Sequence, residues 1–198
     1  MIRRAATAVM ILGAASTACL AEPQDQLTNT NACVECDLSG VHFEGANLLG
    51  ADLRGANLDD ADLRKVTLTA SDLRGASLVD ADLRGAILGG VNFAEADMRR
   101  ARFDGAYLTR ADFTRAVMHE VSMIDARLDS AVLEGADLSG ANLQGVDLYD
   151  ARLFFSVLSG VRLEGADLSF ADVVEAELEE VRTDETTVCP DSEPGPCW

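Results

Sequence analysis

The chain has 198 residues, 48% of them apolar but only 5% aromatic, with four prolines and a formal net charge of −18. That length fits one domain, and an interior so poor in rings must be built from many small and medium side chains packed regularly. The carboxylate surplus excludes a surface that attracts nucleic acid or anionic lipid, and directs any partner toward basic or neutral chemistry.

Residues 1–21 read as a secretory leader: basic "MIRR", apolar "AATAVMILGAA" and small-residue "STACLA", followed by polar sequence from Glu22. The apolar run is too short to span a bilayer, and nothing later in the chain reads as a membrane span. Cleavage after Ala21 is expected. In the alternative, "STAC" serves as a lipoprotein box and Cys19 becomes the lipidated first residue, the only route by which the chain would reach a membrane. Ser16 stands where such boxes usually carry leucine. Loss of the leader removes Arg3 and Arg4 and leaves 14 bases against 34 acids. The expected location is outside the cytoplasm, periplasmic or secreted.

Residues 22–35 form an expected N-terminal cap, and the cysteines agree with export. Once Cys19 is cleaved away or lipidated, Cys33, Cys36, Cys189 and Cys197 remain, one pair at each end of the chain. Three pairings exist. A long rigid body between the pairs would hold the ends apart, which favours Cys33–Cys36 with Cys189–Cys197. A zinc site at Cys33-x-x-Cys36 would need two further ligands, and His42 and His119 are the only histidines.

Residues 36–182 repeat one five-residue phrase. A large apolar residue recurs every fifth position from Leu38 to Leu178, giving 29 units with 21 Leu, four Phe, three Met and one Val at these centres. Two residues before each centre stands Ala in twenty units, Val in six, Ser in two and Cys36 in the first. No proline interrupts the array. A helix would spread such centres around its whole circumference, because five residues advance it by about 140°. A straight strand would point alternate centres to opposite faces. Both positions stay inward only if the chain bends once per unit. Thirteen of the 16 glycines occupy the last place of the unit and mark that bend.

"GANL", "GADL" and "ADLRGA" resemble the pentapeptide-repeat proteins, with their pattern A-(D/N)-L-X-X. The resemblance implies an all-β fold: a right-handed quadrilateral parallel β-helix with four units per coil, hence about seven coils and a rod about 34 Å long. The entry "CVECDLSG" and the exit "TTVCPDSEPGPC" resemble those of secreted members. Residues 183–198 are then the C-terminal cap, needed because an open rod exposes pairing edges at both ends.

No nucleophile elbow, phosphate loop or helical histidine pair is present, and aspartates placed by the repeat cannot be singled out as an acid–base pair. The chain reads as non-enzymatic, without a cofactor or metal. If residues twenty apart stack, Arg54 lies beside Arg74 and Arg64 beside Arg84, relieved by Asp52, Asp62, Asp72 and Asp82. One cluster breaks the surface pattern: Tyr149, Phe154, Phe155, Phe170 and Val174 fall at outward or corner places near the C-terminal end. A C-terminal tail folding back with Trp198 is the expected cover, ahead of self-association or an unknown protein partner.

The leading functional expectation is an exported envelope scaffold or protein-binding module. The alternative, from the same resemblance, is a DNA-mimicking modulator of DNA gyrase or topoisomerase. Duplex DNA would show about 20 charges over about 34 Å, whereas residues 36–182 carry 27 acids and 14 bases. Arginines break the acidic rows, and export would separate the chain from gyrase.

Overall fold

The computed structural model describes residues 23–198. The leader assigned to residues 1–21 and the lipidation alternative at Cys19 lie outside the described residues. From Ala32↔Asp52 to Arg162↔Arg182, parallel bridges join residues 20 positions apart. Twenty residues therefore complete one circuit, so four five-residue units form the four sides of each coil. The sides are numbered by their centres: side 1 from Leu38 to Leu178, side 2 from Phe43 to Leu163, side 3 from Leu48 to Leu168, and side 4 from Leu53 to Val173.

Successive coils are joined by amide hydrogen bonds along the axis. Centres from Leu38 to Leu168 donate their amides one coil forward (Leu133 to the Arg152 carbonyl, 2.7 Å), and so do corners from Glu35 to Gly160 (Gly135 to the Phe154 carbonyl, 2.9 Å). The residue before a centre donates backward, as Val157 does to the Ala136 carbonyl at 2.9 Å. Within a coil the turn closes on itself, Ala136 donating to the Leu133 carbonyl at 3.1 Å. The backbone is satisfied without long strands, because each side contributes a single bridge before the chain bends.

The bend has one conformation throughout. At every fifth position from Glu35 to Glu180, φ lies between 54° and 73°, the left-handed region. Glycine enters that region at no steric cost, which explains its preference for this place. Lys65, Ala70, Arg100 and Phe155 adopt it as well, held there by the ladders on either side.

The interior holds the two inward positions of each unit. Centres from Leu53 to Leu168 are at most 1% exposed, and each buried Leu or Phe contributes about 1.5–3 kcal/mol. The larger centres gather mid-array, where Phe93, Met98, Phe103, Phe113, Met118 and Met123 are fully buried. The small residue beside each centre leaves room for these rings. Ser71 occupies that small place without penalty: its hydroxyl donates to the Leu48 carbonyl and accepts from the Ala51 amide, both at 3.0 Å.

The two ends close differently. Helix α1, Pro23–Thr30, lies over the first coil and buries Leu27, its only apolar side chain after the proline. Proline suits a first helical turn, and Asp25 there complements the helix dipole. Asn31, with φ of 56°, ends the helix by donating its amide to the Leu27 carbonyl at 2.8 Å. The Cys33–Cys36 disulfide ties this cap to the first unit, with an S–S distance of 2.06 Å. At the other end the tail supplies Val188 as the side 3 partner of Asp167, then doubles back antiparallel at Pro194. A Cys189–Cys197 disulfide closes the tail, and Thr187 anchors it by donating its hydroxyl to the Leu163 carbonyl at 3.0 Å.

Candidate functional site: an apolar cluster near the C-terminal end

Outward positions on the coil form columns, one residue per coil, and the columns define the surface. Near the N-terminal end sides 2 and 4 carry ion pairs. In Asp52-Leu-Arg54 the guanidinium grips the carboxylate two residues earlier, Nε to Oδ1 at 2.8 Å and Nη2 to Oδ2 at 2.7 Å. Asp62/Arg64, Asp72/Arg74 and Asp82/Arg84 repeat that fork, as does Asp97/Arg99 on side 1. Stacked arginines such as Arg54 and Arg74 therefore each carry a counter-charge. The fork holds the Asp62 carboxyl down at about 2, against an ordinary 3.8. Arg100 pairs with Asp80 at 2.5 Å, and Arg115 with Glu95 at 2.8 Å, along corner columns.

The candidate site interrupts this lattice. On side 4 the column that begins with Arg54 and Arg74 ends with Phe154 and Val174. The corner column of side 3 ends with Phe170. Tyr149 packs its ring edge-on to Phe170, centroids 5.4 Å apart, and Phe154 lies against Phe155 at 4.1 Å. Phe155, Phe170 and Val174 remain 54%, 62% and 57% exposed, while Phe154 is half-buried between its neighbours. The tail does not cover them, which corrects the expectation from sequence. Val188 takes its place on side 3, and the return strand carries Trp198 to a shallow groove beside Val173, Cys189 and Pro190. The tail spends its length sealing the end of the coil and leaves the aromatic flank bare.

A second neutral surface escaped the reading of the sequence. Side 3 carries no charged outward residue from Asn47 to Thr109, and Leu49, Ile87 and Tyr107 there are about half exposed. Thr67, Thr69 and Gly89 lie between them. The signal was present in the sequence once residues are aligned every twentieth position instead of every fifth.

Among the described residues no three His, Cys, Asp or Glu side chains converge where a metal ion could sit. Both cysteine pairs are disulfides. His119 meets Asp137 at 2.6 Å and His42 meets Asp62 at 3.7 Å, each as an exposed surface pair. No helix among the described residues is long and apolar enough to cross a membrane.

The family model for pentapeptide repeats matches residues 36–75, 76–115, 116–153 and 147–182, most of the chain. The chain belongs to the pentapeptide-repeat family. Such proteins fold as right-handed quadrilateral β-helices, in agreement with the four-sided circuit described above, and are in general non-enzymatic structural or binding proteins. Among solved pentapeptide-repeat structures, one similar to this chain is HetL, involved in heterocyst differentiation regulation, from the cyanobacterium Nostoc sp. strain PCC 7120. It shares 26% identity over 82% of this chain and 92% of that one, with a TM-score of 0.39. QnrB1, a plasmid-mediated fluoroquinolone resistance protein, shares 21% identity over 77% of this chain and 80% of that one, with a TM-score of 0.44. A thylakoid-lumen pentapeptide-repeat protein of Arabidopsis thaliana shares 30% identity over 57% of this chain and 68% of that one, with a TM-score of 0.19. No curated protein matches the chain in sequence.

Proposed function

We propose that this pentapeptide-repeat chain is an exported, non-enzymatic rod that binds another protein in the cell envelope. The leader at residues 1–21 is removed, residues 22–35 and 183–198 cap the ends, and residues 36–182 form the rod of about seven coils. One observation carries the reading: the cluster of Tyr149, Phe155, Phe170 and Val174, left exposed and packed ring against ring near the C-terminal end. Aromatic side chains left in water on a rigid scaffold are what a protein partner covers, and a few such anchors supply most of the affinity of an interface. The disulfides support an oxidising compartment.

The test is made in two steps on fractionated cells. Intact mass of the mature chain should show Glu22 as first residue, with a gain of about 4 Da on reduction of two disulfides. A photo-crosslinker placed at Phe170 should then capture one defined envelope protein, and Tyr149→Ser should abolish that adduct. A full-length chain with free thiols in the cytoplasm, or crosslinks indifferent to Tyr149, would overturn the proposal. A diacylglycerol mass on Cys19 would tether the rod to a membrane and leave the binding claim to the crosslink.

A further inference from the structure

The middle of side 3 carries a column of backbone donors with nothing to bond. Around the rod, the amide that follows each centre points outward, and commonly the Asp or Asn two residues earlier accepts from it. Arg74 donates in this way to the Asp72 Oδ1 at 3.2 Å, and Ala94 to the Asn92 Oδ1 at 2.9 Å. Where Ser77 holds that earlier place, an aspartate of the coil below serves instead, Val79 donating to the Asp59 Oδ1 at 2.9 Å. Side 3 starts and ends by the common rule, with Leu49 on Asn47 at 3.2 Å and Tyr149 on Asp147 at 3.1 Å. Between them the earlier residues are Thr67, Ile87, Tyr107 and Arg127. Among the described residues, the amides of Thr69, Gly89, Thr109 and Asp129 accordingly have no acceptor, and no other side leaves more than two successive coils so.

The neighbouring carbonyls are engaged. Those of Ile87, Gly89, Tyr107 and Thr109 accept from Leu68, Ala70, Leu88 and Gly90 of the coil before, at 2.7–3.0 Å. The face therefore offers one backbone donor per coil, about 4.8 Å apart, and no backbone acceptor. Its outward side chains are uncharged as far as Arg127 and Asp129, which pair with each other at 3.7 Å. Leu49, Ile87 and the Tyr107 ring stand about half exposed beside the donors.

This pattern selects a ligand. A second copy of the face would set donors against donors and bury them without partners, an unfavourable exchange. An extended peptide shows N–H and C=O groups alternately along its edge, so its N–H groups would meet donors. Anionic polymers are repelled by a chain of net charge −18. A neutral sugar chain meets each condition. Its hydroxyl and ring oxygens accept without a formal charge, its rings follow one another along its length, and the C–H face of a pyranose lies flat on an aromatic ring.

We propose that side 3, from Leu49 to Asp129, binds a neutral oligosaccharide laid along the rod axis. Sugar oxygens accept from the amides of Thr69, Gly89, Thr109 and Asp129, and one ring stacks on Tyr107. This goes beyond the reading of the chain as a protein-binding rod and does not use the aromatic cluster near the C-terminal end.

The test is an NMR titration of the mature chain with cellohexaose and, separately, with hexa-N-acetylchitohexaose, two neutral chains long enough to cross four coils. At least one should bind saturably below about 1 mM, with amide shifts concentrated at Thr69, Gly89, Thr109 and Asp129. Thr67→Asn/Ile87→Asn gives two of these amides the acceptor that the repeat supplies elsewhere, so the fold is kept. Slowed hydrogen exchange at Thr69 and Gly89 in the free variant verifies the new bonds. That variant should bind about tenfold more weakly or worse, and Tyr107→Ser should lose a comparable amount. Failure of both sugars to bind, shifts confined to other residues, or undiminished binding by these variants would overturn the proposal. So would the same shifts on adding an alternating Ser-Val decapeptide, which would make the face a peptide site. The same shifts on concentrating the chain alone would make it a dimer contact and overturn the proposal as well.

Discussion

Phe93 and Phe113 stack one coil apart inside the rod, ring centroids 5.4 Å apart and planes 15° from parallel. Phe103 meets Phe93 edge-on across the same interior, at 6.0 Å and 82°. Replacing Phe113 by Ala removes a ring with no neighbour free to fill its space, since the ladders above and below fix the coil spacing. The expected loss is about 3–5 kcal/mol. Phe113→Leu substitutes the residue that most other centres carry and should cost well under half as much. Urea denaturation of both variants checks the ordering.

The corners predict a gain. Ala70 has φ of 57° and an exposed side chain, so its methyl group buries little while its backbone is strained. Ala70→Gly relieves that strain and should stabilise the chain by about 0.5–1 kcal/mol after the extra freedom given to the unfolded state. Gly90→Ala, at φ of 62°, should cost a similar amount. Thermal denaturation of the pair, run side by side, is sufficient.

The Asp62–Arg64 fork makes a pH prediction. Its carboxyl titrates at about 2 when folded and near 3.9 when unfolded. The folded value is the lower, so the unfolded chain takes up the proton first, and the stabilisation is fully present above pH about 4 and lost as pH falls through about 2. A carbon-detected NMR titration should place the Asp62 midpoint near 2 in the native chain. Arg64→Gln should raise it toward the ordinary carboxylate range and shrink the acid-side fall in stability.

Gly195 permits the tail to close. A Cβ at this position would run into the carbonyl oxygen of Asp184, which is backbone and cannot swing aside. Gly195→Ala should therefore lift the return strand at a cost of about 1–3 kcal/mol. Limited proteolysis should then cut between Asp191 and Trp198 while the array stays resistant.

Much of this architecture is legible in the sequence because each unit states the same local constraints. Leu at the centre, Ala two before it and Gly at the corner define which positions face inward and where the chain turns. A period of five does not say how many turns close a circuit. That number is set by pairing between residues twenty apart, such as Asp52 with Asp72, and in the sequence only the family resemblance implies it. Tyr149, Phe155 and Phe170 stand out as aromatics at outward places, so the cluster is visible in advance. Whether the tail would cover it depends on where Val188 docks, and nothing local to Val188 specifies a partner 21 positions earlier.

Every layer of this molecule is laid on the twenty residues made just before it, and α1 covers the first coil at the starting end. The chain can therefore be assembled in the order in which it emerges from a ribosome or a translocation channel, each new coil templated by a finished one and none waiting for a distant segment. Only the last growth front is ever exposed, and it moves along the rod until the tail docks on side 3.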